Sequence, residues 1–268
     1  MTTEPGSVHA IAREVLQTLW PAMCAACDRP VADEVLFCAP CNLSINPLCG
    51  VCPGCALPIH PTTAEGREWM PPRASAGRCR TCRRVPFPFA GASAGFEYGE
   101  ALAEALMRMK HGGRRYLARR LSRLLVQPLA EALARGQLAA ADAVVAVPLH
   151  AHKLRARGFN QALELARWAL IGLGRAPSLR PPEGLPRLER QLLHRARATR
   201  ELGHAGPAAR LAEVAGAFVV SHTARVRGRR FLLIDDVFTT GATFSECAAT
   251  LLQAGAAAVH VLALARAV

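Results

Sequence analysis

The sequence has few lysines, few aromatic residues and no long apolar run. Only Lys110 and Lys153 among the 33 basic side chains are lysines, and aromatic residues make up 5% of the 268 positions. No apolar stretch approaches the roughly eighteen residues of a membrane span, and the amphipathic segment 8–20 contains Arg13 and Glu14. The sequence therefore predicts no membrane span and no secretory signal, and we expect a cytoplasmic protein.

Two further absences narrow the class of protein. Charged residues make up only 20% and hydrophobic residues 51%, so the composition indicates a buried core rather than global disorder. No Gly-x-x-x-x-Gly-Lys-Ser/Thr motif occurs, which disfavours a P-loop nucleotide hydrolase. We expect either one large domain or a small module joined to a medium one.

The formal net charge of +13 is unevenly distributed. Residues 1–90 hold 8 basic and 7 acidic side chains, whereas residues 91–268 hold 25 and 13, so the basic excess belongs to the second segment. Such an excess favours a polyanionic ligand, either nucleic acid or a phosphorylated metabolite. It is also typical of a genome composition that replaces Lys with Arg, and both explanations stay open.

The cysteines mark a separate module, because nine of the ten lie between Cys24 and Cys82. Eight of these form four Cys-x-x-Cys pairs, a spacing that lets both thiolates of a turn face one metal ion, as in zinc ribbons. The sequence predicts two structural four-cysteine zinc sites, paired sequentially in the simplest arrangement, with cross-braced pairing as the alternative. The expected ligands are Cys24, Cys27, Cys38, Cys41, Cys52, Cys55, Cys79 and Cys82.

A disulfide framework is the competing interpretation of these cysteines. It is disfavoured because the sequence predicts no signal peptide and because an odd cysteine would be left over. Closed zinc sites would fold the module, carry out no chemistry and add a charge of about −2 each. Cys49 is then a spare thiol, and Cys247 a small buried hydrophobe in a helix.

Beyond the cysteine module, apolar strands alternate with helical stretches, which predicts a doubly wound α/β sheet with ligands at the carboxyl ends of its strands. We predict an N-terminal helix and double zinc ribbon in residues 1–88 and an α/β domain in residues 89–268. The stretch 60–77 reads as a loop within the second ribbon, and 174–210 as a long mobile Arg-rich excursion. The predicted strands are 143–148, 217–220, 230–234 and 258–264, and the predicted helices are two within 100–138 and one over 160–173.

A dense basic run crosses the first helical stretch. Seven basic side chains lie between residues 108 and 123, with no acidic residue from 106 to 129. We expect most of them to form a solvated helix face, with a dedicated anion site as the alternative.

The clearest chemical motif spans residues 231–243, where an apolar strand leads into Asp235 and Asp236 and then into a Thr/Gly loop that opens a helix. Backbone N–H groups in a tight loop and at a helix N-terminus form an anion cradle, which suits a terminal phosphate. Carboxylates nearby suit a vicinal diol or a hydrated Mg²⁺. Two adjacent aspartates without a ligand would repel each other without compensation, so the motif favours a binding site.

This motif resembles the phosphoribosyl pyrophosphate signature of type I phosphoribosyltransferases. Val-Pro-Leu-His at 147–150, Arg-Gly-Phe-Asn-Gln at 157–161 and the preceding cysteine module extend the likeness over essentially the whole chain, which is similar to the ComF family of competence-associated proteins. In that family a zinc-ribbon region precedes a type I phosphoribosyltransferase domain. The resemblance implies an α/β fold with a type I phosphoribosyltransferase-like parallel sheet flanked by helices, preceded by a small double zinc ribbon.

The resemblance also implies a ligand, phosphoribosyl pyrophosphate with Mg²⁺, and a function in DNA uptake. The loop 149–153 would lie over the pyrophosphate, close to a flexible loop. Leu202 stands where the family usually has Gln, and Glu213 stands where it usually has Asn. We expect His204 to be a solvated loop histidine, with replacement of the missing amide as the alternative. The implied ligand-binding residues are Asp235, Asp236, Thr239, Thr240, Gly241, Ala242 and Thr243; the pyrophosphate-loop residues are Leu149, His150, Lys153 and Arg157; the flexible-loop residues are Arg195, Arg197 and Thr199.

The implied activity is phosphoribosyl transfer, in which a nucleophile attacks the ribose anomeric carbon through an oxocarbenium-like state as Mg²⁺-pyrophosphate departs. The aspartates and loop cations would position the ligand and stabilise charge, and no residue stands out as a general base. One alternative is a non-catalytic accessory protein that binds single-stranded DNA, although the low aromatic content disfavours a stacking platform. Another is a zinc ribbon that docks DNA-processing proteins.

Overall fold

The computed structural model describes residues 21–59, 77–111, 113–134, 141–200 and 206–268. The amphipathic segment 8–20, the loop 60–76, Leu202 and His204 lie outside the described residues. In chain order the elements are β1 (Ala22–Met23), β2 (Pro30–Val31), α1 (Ala39–Asn42), α2 (Arg80–Arg84), β3 (Gly91–Glu97), α3 (Glu100–His111), α4 (Arg115–Ala134), β4 (Ala143–Ala146), α5 (Ala151–Arg157), α6 (Gln161–Gly174), β5 (Arg187–Glu189), β6 (Leu193–Arg195), α7 (Pro207–Val214), β7 (Phe218–Val220), β8 (Arg230–Phe238), α8 (Ala242–Gln253) and β9 (Ala258–Arg266).

Five strands form one parallel sheet in the order β3-β9-β8-β4-β5. Along the chain, β4 leads outward to β5 on one side, whereas β8 leads to β9 on the other. The direction of winding therefore reverses between β4 and β8, which is where ligands bind in doubly wound sheets. The loops that follow these two strands contain the predicted pyrophosphate and phosphate segments.

Both faces of the sheet are covered, as the apolar composition of its central strands requires. Leu232 and Ile234 of β8 pack beneath α3, α4 and α6, while Phe231 and Leu233 pack on the opposite face with α8. This alternation follows from the two-residue period of a strand. The α/β prediction, a parallel sheet flanked by helices, is confirmed.

The two halves of the cysteine module pack on opposite faces. Cys24 and Cys38 belong to the core beneath α3 and α4, whereas Cys52, Cys55 and Cys82 belong to the core on the α8 side. The two halves of the cysteine module therefore precede the sheet in sequence and pack on its two opposite faces. The proposed boundary at residue 88 stays a prediction.

The basic run of α3 and α4 is only partly a solvated face: Arg115, Arg119 and Arg123 are exposed, whereas its other four basic side chains are half-buried. Its arginines hold the first part of the cysteine module, because Arg108 donates to the Ala26 carbonyl at 2.7 Å and Arg114 to the Asp28 carboxylate at 2.9 Å. Arg120 donates to the Val35 carbonyl at 2.7 Å. Backbone carbonyls and the Asp28 carboxylate accept hydrogen bonds from these guanidinium groups. The basic run therefore needs no acidic residues of its own.

Two other expectations need correction. Among its described residues, the stretch 174–210 contains the short strands β5 and β6 and the start of α7, so it is not one long loop. β3 was not predicted, because Gly and Ala replace the usual β-branched residues; a Cβ at Gly95 would lie 2.8 Å from Pro128 of α4. No helix among the described residues is long and apolar enough to span a membrane.

Candidate functional site at the switch point of the sheet

The acidic pair lies near the carboxyl end of β8. The Asp236 side chain is 4% exposed and forms an ion pair with Lys110 Nζ from the end of α3. Gln161 Nε2 donates to Asp236 Oδ1 at 3.4 Å, and the Asp236 backbone N–H donates to Asp235 Oδ1 at 2.9 Å. Both carboxylates therefore have polar partners, which a buried Asp236 beside a half-buried Asp235 requires.

Burial and charge divide the pair into two different acids. Burial, followed by repulsion from Asp236, holds the pKa of Asp235 well above its usual range. Burial also acts to raise the pKa of Asp236, but the Lys110 ammonium and the neighbouring hydrogen bonds outweigh it and lower that pKa. The attraction of Asp236 likewise outweighs burial and raises the pKa of Lys110. The negative charge of the pair therefore resides preferentially on Asp236.

Lys110 and Gln161 were not among the predicted site residues. Arg157, which was, lies behind the acidic pair: its Nη1 donates to Gln161 Oε1 at 2.5 Å, and Gln161 in turn contacts Asp236. Arg157 thus orients the acidic pair through Gln161. The sequence signal for Lys110 was its rarity, since it is one of two lysines, but only the tertiary fold brings α3 to β8.

The Thr/Gly loop turns directly from β8 into α8. Gly241 has φ +84°, a left-handed conformation that favours glycine, and the Ala242 N–H donates to Thr240 Oγ1 at 3.4 Å. A Cβ at Gly241 would lie 2.7 Å from Phe87 and 2.8 Å from Phe238. Glycine is therefore required here both by the backbone conformation and by the aromatic rings below the loop. The first N–H groups of α8, which lack helical acceptors, follow immediately.

A cleft of about 320 Å³ joins this loop to the two other predicted segments. It brings together the Thr/Gly loop, Lys153 from the pyrophosphate loop, and Arg195 and Thr199 from the flexible loop. Four cations face a single carboxylate among its lining residues, which suits a ligand with several negative charges. The lining residues are Lys153, Arg195, Thr199, Arg200, Arg210, Glu213, Val214, Thr239, Thr240, Ala242 and Thr243.

Arg195 is the best-placed cation of this cleft. It forms a β-bridge with His150, donates to Thr199 Oγ1 and lies 5.2 Å from the Phe218 ring centre. Its buried Nε has no acceptor among the described residues, so it is a donor available to a ligand. Burial lowers the pKa of Arg195. An anionic group in the cleft would relieve that cost.

Other predicted residues have local roles instead. His150 accepts a hydrogen bond at Nδ1 from the His152 N–H at 3.3 Å and so caps α5, and Leu149 precedes it in the half-buried loop. Arg197 donates to the carbonyls of Glu213 and Ala215 at 2.7 and 2.8 Å. The structure therefore separates Arg197 from its neighbours Arg195 and Thr199.

Four lining residues of the cleft are not among the predicted site residues: Arg200, Arg210, Glu213 and Val214. The Arg210 Nη1 lies 3.5 Å from Thr239 Oγ1. Glu213, which stands where the family usually has Asn, accepts a hydrogen bond from the Arg200 N–H at 2.8 Å. Its carboxylate thus holds the flexible loop on α7.

The eight paired cysteines form two compact clusters. Cys24, Cys27, Cys38 and Cys41 make the first cluster, and the second contains Cys52, Cys55, Cys79 and Cys82; within each, the sulfurs lie within 4.8 Å of one another. The pairing is sequential, and all ten cysteines are free thiols, so the cross-braced and disulfide alternatives are wrong.

The cluster geometry fits zinc. The Sγ atoms of Cys27 and Cys38 are 3.6 Å apart and those of Cys55 and Cys79 are 3.7 Å apart, and a tetrahedral site with Zn–S bonds of about 2.3 Å needs roughly 3.8 Å. Backbone N–H groups donate to the sulfurs, as from Cys79 to Cys52 Sγ at 3.2 Å. Burial raises the pKa of Cys24, but such donors outweigh it and lower that pKa to about 6. Both clusters fit closed structural zinc sites.

Comparisons with known proteins extend these findings. No protein-family model matches the chain. The DNA utilization protein YhgH of Salmonella typhimurium is 30% identical over 248 residues, which cover 92% of this chain and 97% of that protein. The protein of the same name from Escherichia coli is 28% identical over 251 residues, with the same coverage. Competence protein F of Haemophilus influenzae is 27% identical over 223 residues, which cover 81% of this chain and 91% of that protein.

Proposed function

Because the chain belongs to the ComF family, we propose that it binds phosphoribosyl pyrophosphate with Mg²⁺ and acts in DNA utilisation. One observation carries the ligand proposal. At the switch point of the sheet, β8 carries the acidic pair and leads into the Thr/Gly loop, whose residues line a cationic cleft; these three features suit the diol, the 5′-phosphate and the pyrophosphate of this ligand.

Each part of the ligand has a suitable set of residues. The loop 239–243 and the start of α8 bind the 5′-phosphate with backbone N–H groups and threonine hydroxyls. Asp235 and Asp236 accept hydrogen bonds from the ribose diol and face hydrated Mg²⁺. Lys153 and Arg195 neutralise the pyrophosphate. Mg²⁺ adds charge neutralisation of the leaving group when it is bound.

The reaction that this arrangement supports is displacement at the anomeric carbon. The bond from that carbon to the pyrophosphate oxygen breaks, the oxygen keeps the electron pair, and a new bond forms to the incoming nucleophile. Positioning and electrostatic stabilisation supply the catalysis, because the charged lining residues are cations apart from Glu213, whose carboxylate already accepts from the Arg200 N–H. The acceptor therefore has to be nucleophilic without strong base assistance.

The names of the relatives support a role with DNA, and we place the protein in the cytoplasm, where its clustered thiolates stay reduced. A non-catalytic DNA-binding function is the second candidate. The observation that favours it is an exposed basic strip, Arg80, Arg83 and Arg84 on α2 beside the second cluster. Phosphate contacts of this kind need no particular sequence of bases.

Calorimetric titration of the zinc-loaded protein with phosphoribosyl pyrophosphate and Mg²⁺ tests the primary proposal. We expect saturable binding that weakens at least tenfold in the double variant Asp235→Asn, Asp236→Asn, which keeps the shape of both side chains. Asp142→Asn is the matched control, since Asp142 pairs with Arg230 at the opposite end of the sheet.

Binding of single-stranded DNA, measured in parallel against salt concentration, separates the two candidates. Absence of phosphoribosyl pyrophosphate binding together with steeply salt-dependent DNA binding would reject the transferase proposal and favour the second candidate.

A further inference from the structure

Arg266 ends β9 and connects the second cysteine cluster to the phosphate loop. It is 5% exposed, and its Nε donates to the Cys55 carbonyl at 2.8 Å. Its Nη1 donates to the carbonyls of Phe238 at 2.8 Å and Thr239 at 2.5 Å. The guanidinium carbon also lies 4.3 Å from the centre of the Phe238 ring. One buried side chain therefore joins a metal-ligand residue to the first residue of the loop.

A second contact ties the same two regions. Phe87 follows the last ligand of the cluster by five residues, stacks on Phe89 at 4.8 Å and lies edge-on to Phe238 at 6.1 Å. Its ring occupies the space where a Cβ of Gly241 would lie. The loop thus rests on an aromatic support that the cluster positions from one side and β8 from the other.

The chemistry of arginine makes this connection stiff. A guanidinium keeps its charge when buried, so it has to keep its acceptors as well. Displacing the Cys55 carbonyl would leave a buried donor without an acceptor, at a cost comparable to several ordinary hydrogen bonds. The positions of the cluster and of Thr239 are therefore linked through Arg266.

We propose that Arg266 is a positioning residue that couples metal-dependent folding of the second cluster to the 5′-phosphate loop. The first cluster is held differently: Arg108 and Arg120 attach it to the outer helices α3 and α4. Metal loss from the second cluster then releases the loop, and the ligand loses its 5′-phosphate contacts first. This inference rests on the proposed function of the loop.

The test compares Arg266→Met with Arg120→Met in the full zinc-loaded chain. Both variants remove a guanidinium that donates to a backbone carbonyl of the cysteine module, that of Cys55 for Arg266 and that of Val35 for Arg120. Zinc content and thermal unfolding establish that each is folded and holds two metal ions. Calorimetry then measures two probes, ribose 5-phosphate and magnesium pyrophosphate. We expect Arg266→Met to weaken ribose 5-phosphate binding at least tenfold and pyrophosphate binding less than twofold, because Lys153 and Arg195 bind the latter.

The selective loss is a readout that general destabilisation would not produce, since a loosened fold would weaken both probes. Arg120→Met should bind both like the wild type. Phe87→Leu removes one ring of the aromatic support and leaves Arg266 in place. We expect it to weaken ribose 5-phosphate binding selectively as well, and it provides the test if Arg266→Met does not fold.

Unchanged ribose 5-phosphate binding in the folded Arg266→Met variant, or in Phe87→Leu, would overturn the inference and leave the proposed function intact. If the wild type binds neither ribose 5-phosphate nor magnesium pyrophosphate, both the inference and the proposed function are overturned.

Discussion

The two cysteine clusters share one ligand set and hold different parts of the molecule in place. The first packs against α3 and α4, where several arginines donate to backbone carbonyls around the cluster and to Asp28. The second lies on the α8 side, where Arg266 connects it to the loop that follows β8. Two clusters with the same ligand set therefore pack against different regions: the first contacts the outer helices α3 and α4, and the second contacts the loop of the candidate site.

Charge explains why arginines surround both. A four-thiolate zinc site carries a charge of about −2 in a poorly solvated place, so nearby guanidinium groups compensate it. The basic excess of residues 91–268 is thus partly used inside the molecule. A net charge of +13 overstates the basic surface that is left for nucleic acid or other polyanions.

The largest difference between the two clusters should appear when one buried cysteine ligand is removed from each of them in turn. We expect Cys82→Ser and Cys38→Ser each to lose one zinc per chain, because an incomplete tetrahedral site binds weakly. Cys82→Ser should also abolish measurable phosphoribosyl pyrophosphate binding, whereas Cys38→Ser should mainly lower the unfolding temperature. Zinc analysis, thermal scans and calorimetry measure these effects. Equal loss of ligand affinity in both variants would show that the clusters do not divide their tasks.

Lys110→Met tests the ion pair that connects the end of α3 to Asp236 of β8. It leaves the Asp236 carboxylate, 4% exposed, without its cation. Loss of one partner of a buried ion pair costs roughly 3 kcal/mol, and urea unfolding at pH 7 measures it. Lys110→Arg keeps the charge and should recover most of the stability. A change below about 0.5 kcal/mol for Lys110→Met would mean that water, not Lys110, satisfies Asp236.

Asp235→Asn is expected to have the smallest effect on stability, and of opposite sign. Folding raises the pKa of Asp235, so its protonated form contributes stability at low pH. That stability is lost as the pH rises from the ordinary pKa of an aspartate through the raised pKa in the folded state. The variant should therefore be more stable than the wild type at pH 7, because it removes a charge that folding disfavours at this position. Urea unfolding at pH 5 and pH 7 should show the advantage growing with pH. A variant less stable than the wild type at both values would refute this charge assignment.

Local sequence features predicted the parts of the molecule that depend on neighbours in sequence. Four Cys-x-x-Cys pairs indicated two closed metal sites, and the apolar run before Asp235 indicated β8 and the loop into α8. Sequence order alone also favoured sequential pairing, which is what the structure has.

Contacts between distant segments were the parts that could not be predicted. The sequence alone indicates solvent-exposed positions for Arg108 and Arg120, whereas in the structure they contact the first part of the cysteine module. One acceptor of Arg266, the Cys55 carbonyl, lies 211 positions away in sequence. β3 was hidden because close approach of α4 selects Gly and Ala over β-branched residues. Lone charged residues acquire their roles only from the tertiary fold.

The most direct test of the central claim is a crystal structure of the zinc-loaded chain with phosphoribosyl pyrophosphate and Mg²⁺. The account predicts the 5′-phosphate within hydrogen-bond distance of the loop 239–243, the ribose diol on Asp235 and Asp236, and the pyrophosphate beside Lys153 and Arg195. A ligand bound elsewhere, or an empty cleft at saturating ligand concentration, would contradict it.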